Sequence, residues 1–194
     1  MKKKIVALLC TVAMTCTLLA GCGQSAADTT AGTFETEDST EVETDAVSDQ
    51  EAANNVAALI DATYVQERTD ETDAQCTAAK EAWDALTDVQ KELVAGEFAD
   101  PDYFGRDTGD ASLDDPRNQD EIGENEILVV SFGTSFNDSR VADIKGIEDA
   151  LQEAYPDWSV RRAFTAQIII NHVQARDGEY IDNMQQALDR AVAN

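Results

Sequence analysis

The sequence predicts an α/β protein, with a Rossmann-like parallel sheet that follows a small helical N-terminal extension. Two observations lead to this prediction. Residues 127–130 form a short apolar, β-branched run, which is typical of a strand covered on both faces. From Glu126 onward, stretches with strand character alternate with stretches of helical periodicity. This order requires a parallel sheet with right-handed crossovers.

The first strand leads into a turn that is rich in Gly, Ser and Thr. Gly133 permits a sharp turn or a close approach of the backbone to a ligand. The consecutive N-cap residues Asn137, Asp138 and Ser139 predict that a helix begins near them. Because ligands of open α/β sheets bind outside the carboxyl ends of the strands, we expect a ligand at residues 131–139.

The rest of this unit follows from the spacing of its apolar residues. The pattern predicts a helix over 139–155, a strand over 159–164, a helix from 165 to about 178 and a last helix over 181–192. The side chains expected on the buried face of the first of these helices are Val141, Ile144, Ile147 and Leu151. Two strands make a poor sheet, so we expect residues 126–194 to be the first, incomplete part of an α/β domain.

Residues 51–99 predict the helical extension. Apolar residues recur at helical spacing over 51–65 and again over 72–86. A third helix is expected to begin after Thr87, in a sequence that resembles a capping box, and to end at Gly96. We expect the apolar side chains of these helices to form a core rather than a ligand platform.

Residues 100–125 form an acidic, turn-rich connector. Carboxylates combined with glycine can bind calcium, but their spacing departs from the EF-hand loop, which needs ligands at alternate positions and a glutamate at the twelfth. We therefore favour a connection that is ordered by packing of Tyr103 and Phe104 on the next domain, with calcium as the less favoured alternative.

The N-terminus has the pattern of a secretory signal. Three lysines precede a long uncharged run that is short for a membrane span, and residues 1–21 therefore predict a signal peptide. The sequence Leu19-Ala20-Gly21-Cys22 resembles the lipobox of bacterial lipoproteins, which implies cleavage before Cys22 and diacylation of its thiol. An uncleaved anchor or an ordinary signal is the alternative. We expect an extracytoplasmic protein that is anchored to the membrane by lipid.

Residues 22–50 predict a disordered acidic tether. From residue 23 on, they contain neither Lys nor Arg and few large apolar side chains, so burial cannot offset the entropy of ordering them. An acidic recruiting tail is the alternative. The formal net charge of the whole chain is −25, which argues against a nucleic-acid-binding protein because phosphate binding needs a basic face.

The cysteines exclude two further classes of site. Cys10 and Cys16 lie in the predicted signal and Cys22 is the predicted lipid carrier, so Cys76 alone is left in the mature chain. An internal disulfide and a cysteine-based zinc cluster are therefore excluded. We expect Cys76 to be a small buried residue of a helix.

Three motifs taken together resemble the N-terminal half of the anaerobic-type sirohydrochlorin cobaltochelatase family. They are residues 127–135, 162–165 and 176–178, in the family's order and spacing. The resemblance covers residues 124–194, and the helical unit before it looks like the extension of lipoprotein members. It implies two similar α/β domains with a tetrapyrrole in the cleft between them. The implied reaction inserts cobalt, or another divalent metal, into sirohydrochlorin as two pyrrole protons leave, in the synthesis of vitamin B12 (cobalamin).

The resemblance also implies which residues are absent. The family's histidines and glutamate, which accept protons and deliver the metal, lie beyond the point that matches Asn194. We therefore expect no catalytic or metal-binding residue in this chain and no activity of this part alone. His172 falls inside a predicted helix and matches no catalytic motif, so we expect a packing or surface histidine.

What the resemblance implies for this chain is half of the substrate cleft. Because sirohydrochlorin carries many carboxylates, the backbone N–H groups of Gly133, Thr134 and Ser135 at a helix N-terminus suit one of them. Hydroxyls, aromatic rings and one guanidinium complete the substrate-binding candidates: Ser131, Thr165, Phe132, Phe164 and Arg140. The two phenylalanines are equally well explained as core side chains.

Alternation along a strand means that at most one of Arg161 and Arg162 faces a ligand. Two functions from different classes stay open: a lipid-anchored cobaltochelatase, and a non-catalytic surface lipoprotein that binds a tetrapyrrole or a metal. A purely structural lipoprotein is a third, and the sequence leaves a homo-oligomer open.

Overall fold

The computed structural model describes residues 39–100 and 104–194, with side chains from residue 47 on. Three helices come first: α1 (Ser39–Thr63), α2 (Thr72–Asp84) and α3 (Asp88–Lys91). A 3₁₀ turn at Ala111–Leu113 interrupts the connector. The α/β part consists of β1 (Glu126–Ser131), α4 (Asn137–Ser139), a π-helical segment (Arg140–Lys145), α5 (Gly146–Ala154), β2 (Ser159–Phe164), α6 (Gln167–Asp177) and α7 (Met184–Ala193). The predicted fold class, a parallel α/β sheet after a helical extension, is confirmed.

The sheet has two strands, β1 and β2. β1 and β2 pair in parallel along all six of their residues. On the other edge of β2, the N–H group of Arg162 donates to the carbonyl of Arg117 at 3.2 Å and that of Phe164 donates to Asp182 at 2.9 Å. The segment after α6 therefore runs beside β2 like a short third strand. Among the described residues, no strand pairs with the outer edge of β1.

Helix α6 lies between the sheet and the helical extension. On one side, Ile170 and Val173 pack with Phe164 of β2. On the other side, Ala175 joins the core of the extension, which includes the buried side chains of Ala53, Val56, Ile60, Cys76, Ala79, Val94 and Phe104. The extension is therefore packed directly on the α/β part. Cys76 is fully buried in α2, as predicted.

Polar contacts also join α6 to the extension. The Asn171 side chain donates to the carbonyl of Thr63 at 2.8 Å, at the end of α1. Gln174 donates to the Asp73 carboxylate in α2 at 3.0 Å. Both contacts are buried on the α6 side, where an unpaired amide would be costly.

The first helix starts earlier than the sequence predicts. α1 begins at Ser39 rather than near Glu51, so the prediction of a disordered tether is wrong over residues 39–50. Side-chain contacts explain part of the difference, because the Asp49 carboxylate accepts a hydrogen bond from Gln90 of α3 at 2.8 Å. Such long-range contacts leave no signature in local composition.

The third helix ends earlier than predicted. The capping box forms, with Thr87 and Gln90 bonded reciprocally, but α3 ends at Lys91 rather than at Gly96. The carboxylate of Asp61 accepts three backbone N–H groups of residues 97–99 at 2.8–2.9 Å. Burial opposes ionisation of Asp61, but these backbone hydrogen bonds outweigh it and lower the pKa of the carboxyl.

A π-helical segment changes which face of the helix after β1 is buried. The helical run begins at residue 137 and ends at residue 154, close to the prediction, but residues 140–145 form wider turns. A π turn adds a residue to the turn and rotates the residues that follow. Ile147, which was expected to be buried, is 59% exposed, whereas Glu148 is fully buried.

Several predictions fall outside the described residues. They concern the signal at 1–21, Cys22, the tether as far as residue 38, and Tyr103. Phe104 is described and buried, and its ring packs both on Trp83 of the extension and on His172 of α6, with centroids 5.1 and 5.5 Å apart. No helix in the described part of the chain has the length and apolar character that crossing a membrane requires.

Candidate functional site

The carboxyl ends of β1 and β2 meet, as the sequence predicts. The N–H group of Thr165 donates to the carbonyl of Ser131 at 2.9 Å, and that of Ala166 donates to Phe132 at 3.3 Å. These bonds carry the parallel pairing one step beyond the strands. The loop of residues 132–136, here called the strand-end loop, therefore lies directly beside Thr165.

Gly133 lets the strand-end loop lie on an aromatic ring. Its φ is +94°, in the region that favours glycine, and a Cβ at this position would lie 2.4 Å from a ring carbon of Phe164. Phe164 is fully buried and belongs to the core. Phe132 is 71% exposed, so of the two phenylalanines only Phe132 presents its ring to solvent.

The strand-end loop has backbone donors to offer. Among the described residues, none accepts a hydrogen bond from the N–H groups of Gly133, Thr134 or Ser135. The Thr134 hydroxyl accepts from the N–H group of Phe136 at 3.1 Å. The Ser131 hydroxyl is buried and has no partner within the described residues. Within the described residues, the three N–H groups of the loop and the hydroxyl of Ser131 thus have no hydrogen-bond partner.

Part of the helix start after the loop is already occupied. The connector supplies the carbonyl of Thr108, which accepts from the N–H group of Asp138 at 2.7 Å. The carbonyl of Gly109 accepts from the Asn137 side chain at 3.1 Å. The backbone N–H groups that remain for the predicted anion site are therefore those of the loop that precedes these residues.

Arg140 has a different place from the predicted one. Its side chain is fully buried, with Nε donating to Asp114 and Nη2 to Glu179, both at 2.7 Å. Nη1 lies 3.4 Å from the carbonyl of Thr134. The sequence predicts that Arg140 pairs with a carboxylate of the substrate. In the structure it pairs with carboxylates of the protein instead and supports the strand-end loop from the interior.

Asp114 joins the connector to the sheet through buried ion pairs. Arg162 donates to both of its carboxylate oxygens, at 2.7 and 2.9 Å, and also to Glu148 at 2.8 and 2.9 Å. All three side chains are fully buried. Burial opposes ionisation of Asp114, but the hydrogen bonds and charges of Arg162 and Arg140 outweigh it and lower its pKa.

The strand arginines and the calcium alternative can be judged from the same part of the structure. Arg161 points to the other face, where it pairs with Glu126 at 2.8 Å and with Asp182 at 3.2 Å, so neither strand arginine reaches a ligand surface. The described residues contain no group of three or more His, Cys, Asp or Glu side chains arranged to hold a metal ion.

Arg176 is a second support of the strand-end loop that was not predicted. Its Nη2 donates to the carbonyl of Ser135 at 2.6 Å and lies 3.3 Å from the Asn137 side chain. Asp177 pairs with the same nitrogen at 2.7 Å. The motif 176–178 contributed to the family resemblance, but its sequence does not predict that the guanidinium of Arg176 contacts the strand-end loop.

His172 is a packing histidine. It is 1% exposed, its Nδ1 lies 3.1 Å from the Tyr64 hydroxyl, and its Nε2 lies 3.3 Å from Arg176. Its ring contacts that of Phe104, with centroids 5.5 Å apart. Burial, assisted by the charge of Arg176, lowers the pKa of His172 to about 4, so the imidazole is neutral at pH 7.

An open crevice of about 400 Å³ adjoins the strand ends. Thr165 is exposed at its edge, and the crevice is bordered by the first residues of α6 and α7. Residues 66–68, between α1 and α2, close its other side. Of the predicted site residues, Phe164 and Thr165 line this crevice, as do residues 66–68 of the helical extension.

A glycine turn thus follows the first of two parallel strands, and the guanidinium groups of Arg140 and Arg176 support it. Residues 125–194 match the family described as "Cobalt chelatase (CbiK)". Over this segment the chain is similar to the cobalt chelatases, as its three motifs predict.

A particular relative is the sirohydrochlorin cobaltochelatase of Salmonella typhimurium (strain LT2). It is 43% identical over 67 residues, which make up 34% of this chain and 25% of the relative. The chain therefore spans about a quarter of the length of this curated relative. No solved structure matches the chain.

Proposed function

We propose that the chain binds sirohydrochlorin, or a related tetrapyrrole, at the strand-end loop and serves as a sirohydrochlorin cobaltochelatase. The similarity of residues 125–194 to cobalt chelatases supports this function. The observation that carries the proposal is the set of backbone N–H groups at Gly133, Thr134 and Ser135, which have no acceptor among the described residues.

The chemistry of the loop suits a polycarboxylate macrocycle. Adjacent backbone N–H groups at the start of a helical run bind a carboxylate well. The exposed hydroxyl of Thr165 adds a donor beside the loop, whereas the Ser131 hydroxyl is buried. The exposed ring of Phe132 can lie against the macrocycle, since aromatic rings favour offset stacking. Phe164 and Arg140 then act from beneath, by holding the loop rather than by touching the ligand.

Metal insertion needs more than this loop. Co²⁺, or another divalent metal, replaces two pyrrole protons, so the reaction requires a base and ligands that release the metal. We assign tetrapyrrole binding to the described residues and no proton transfer. In the proposed role the product enters anaerobic cobalamin synthesis. A non-catalytic lipoprotein that binds a tetrapyrrole or a metal is the alternative, and an assay of cobalt insertion by the full-length protein, rather than by residues 1–194 alone, distinguishes it.

The lipid anchor is part of the same proposal. The lipobox-like sequence ending at Cys22 supports an extracytoplasmic protein that is held at the membrane. Mass spectrometry of the mature N-terminus tests it, because a diacylglyceryl group on Cys22 is expected and an unmodified thiol would contradict it.

The loop can be tested with a pair of glycine variants. In Gly133→Val, the new side chain meets the Phe164 ring at a positive φ, so the loop must move. Gly146→Val is the matched control, because a Cβ at Gly146 has no neighbour within 4 Å. Titration of uroporphyrin, followed by absorbance, should show affinity at least about tenfold lower for Gly133→Val only.

A second variant guards against loss of the fold. Phe132→Ala removes an exposed ring, so it should leave thermal unfolding nearly unchanged while weakening uroporphyrin binding several-fold. Equal affinity of Gly133→Val, Phe132→Ala and the unaltered protein would overturn the proposed site.

A further inference from the structure

The crevice beside the strand-end loop has one wall that belongs to the helical extension. Phe164 lies beneath it, and Thr165 stands at its edge. The opposite wall consists of Gln66, Glu67 and Arg68, between α1 and α2. Amides and a thioether complete the lining: Gln167, Asn183, Met184 and Gln185. The extension therefore contributes side chains to a crevice that Phe164 and Thr165, at the end of β2, also line.

A chain of amide hydrogen bonds fixes the two walls relative to each other. The Asn183 side chain donates to Gln167 at 2.9 Å, and Gln167 donates to Asn171 at 2.8 Å. Asn171 in turn donates to the carbonyl of Thr63, at the end of α1 and close to Gln66. Because each amide both accepts and donates, the chain of bonds has one direction and joins the starts of α7 and α6 to the end of α1.

Arg68 is the single cation among the residues that line this crevice. Its side chain is 18% exposed, and Asp73 holds its guanidinium at 2.5 Å. Asp73 is itself 46% exposed, and Gln174 donates to its other oxygen. The guanidinium is thus oriented by a partner at the surface rather than sealed within the core.

Such a guanidinium can bind a second carboxylate. It has five N–H donors in a rigid fork, and one carboxylate engages at most two of them. The formal charge of the chain is −25, so a half-buried cation at a crevice is a local exception to the repulsion that a polyanionic ligand meets elsewhere. Glu67, in the same wall, is exposed and opposes the ligand less than a buried carboxylate would.

We propose that Arg68 of the helical extension binds a carboxylate of the tetrapyrrole, so that the extension forms the second wall of the substrate site. This inference rests on the proposed function and deepens it. Within it, the extension selects polycarboxylate macrocycles, and the strand-end loop and Arg68 hold substituents on different sides of the ring.

Two arginine variants test the inference. Arg68→Gln removes the charge from the crevice, whereas Arg106→Gln removes the same charge from an exposed position in the connector. Uroporphyrin titrations should show affinity about tenfold lower for Arg68→Gln and unchanged for Arg106→Gln. The difference should shrink as salt is added, because the interaction is half-exposed.

A third variant separates ligand binding from a structural role. Asp73→Asn removes the internal competitor of Arg68 but keeps an oxygen for Gln174. If Arg68 binds the ligand, Asp73→Asn should strengthen uroporphyrin binding severalfold. If the Arg68–Asp73 pair only stabilises the extension, this variant should weaken binding or leave it unchanged, and the inference is overturned.

The outcomes also separate the inference from the proposed function. When the unaltered protein binds uroporphyrin and Arg68→Gln binds it equally well, the inference fails and the proposed function stands. When the unaltered protein binds no porphyrin, both fail.

Discussion

Asp114 is the residue on which the buried polar network depends. It is the carboxylate that Arg140 and Arg162 share, and both guanidinium groups are fully buried. A buried ion pair adds little net stability when it forms, but removal of one partner leaves an uncompensated charge. The side chains under the strand-end loop are thus ordered by a residue of the connector.

We therefore expect Asp114→Asn to destabilise the protein strongly. Without the Asp114 carboxylate, two buried arginines lose the negative charge that compensates them. The free energy of unfolding should therefore fall by about 3–5 kcal/mol. Urea unfolding followed by circular dichroism measures this change. Glu121→Gln, a neutralisation at an exposed connector position, is the control and should change stability by less than about 0.5 kcal/mol. Equal midpoints for the two variants would contradict the role of Asp114.

Single residues are also where prediction from the sequence is weakest. The turn at Gly133 could be predicted, because a glycine after an apolar strand implies a turn. Arg140 and Asp114 could not be paired, because they come from segments 26 residues apart and the π-helical segment that precedes Ile147 is not visible in composition. The local sequence does not show which charged residues will be buried against a partner from a distant segment.

At the scale of elements, α6 connects the two parts of the molecule. It packs on β2 with one face and on the extension with the other. His172 lies in this second interface, beside Tyr64 and Phe104. Its pKa of about 4 in the folded protein lies below the ordinary value of 6.5. The packing of α6 is therefore sensitive to acid.

We expect the free energy of unfolding to fall as the pH drops from about 6.5 towards 4. In that window the unfolded chain binds a proton at His172 and the folded chain does not. The free energy of unfolding therefore decreases as the pH falls. Its magnitude is at most about 1.4 kcal/mol per pH unit. Urea unfolding at a series of pH values measures this slope.

His172→Gln is the matched variant for this measurement, because it lacks the titrating group. Its stability should depend less on pH between 6.5 and 4. Glu179, whose pKa burial raises, acts in the opposite direction near its own pKa, but it does so in both proteins. Identical pH profiles for the two proteins would show that His172 is not buried as described.

The sequence predicted most elements to within a few residues, since strands and amphipathic helices have a local period. The start of α1 and the end of α3 were missed. Both depend on side chains distant in sequence, namely Asp49 with Gln90 and Asp61 with residues 97–99.

At the scale of the whole molecule, the chelatase-like segment and the helical extension both contribute side chains to the crevice that Arg68 lines. The class of fold followed from the order of elements, and the strand ends suggested the place of the proposed site. The wall contributed by residues 66–68 did not follow, because the sequence does not say which face of the extension meets α6. Within this account, the extension belongs to the site.

The most direct test of the account is to locate a bound tetrapyrrole by NMR. In a ¹⁵N-labelled protein, the ring current of added uroporphyrin should shift the backbone amides of Gly133, Thr134 and Ser135 most, together with those of residues 66–68 and the side-chain amide of Asn183. Saturable shifts at these positions are the predicted result. Shifts confined to other surfaces, or none at all, would contradict the claim that the strand-end loop is the tetrapyrrole site.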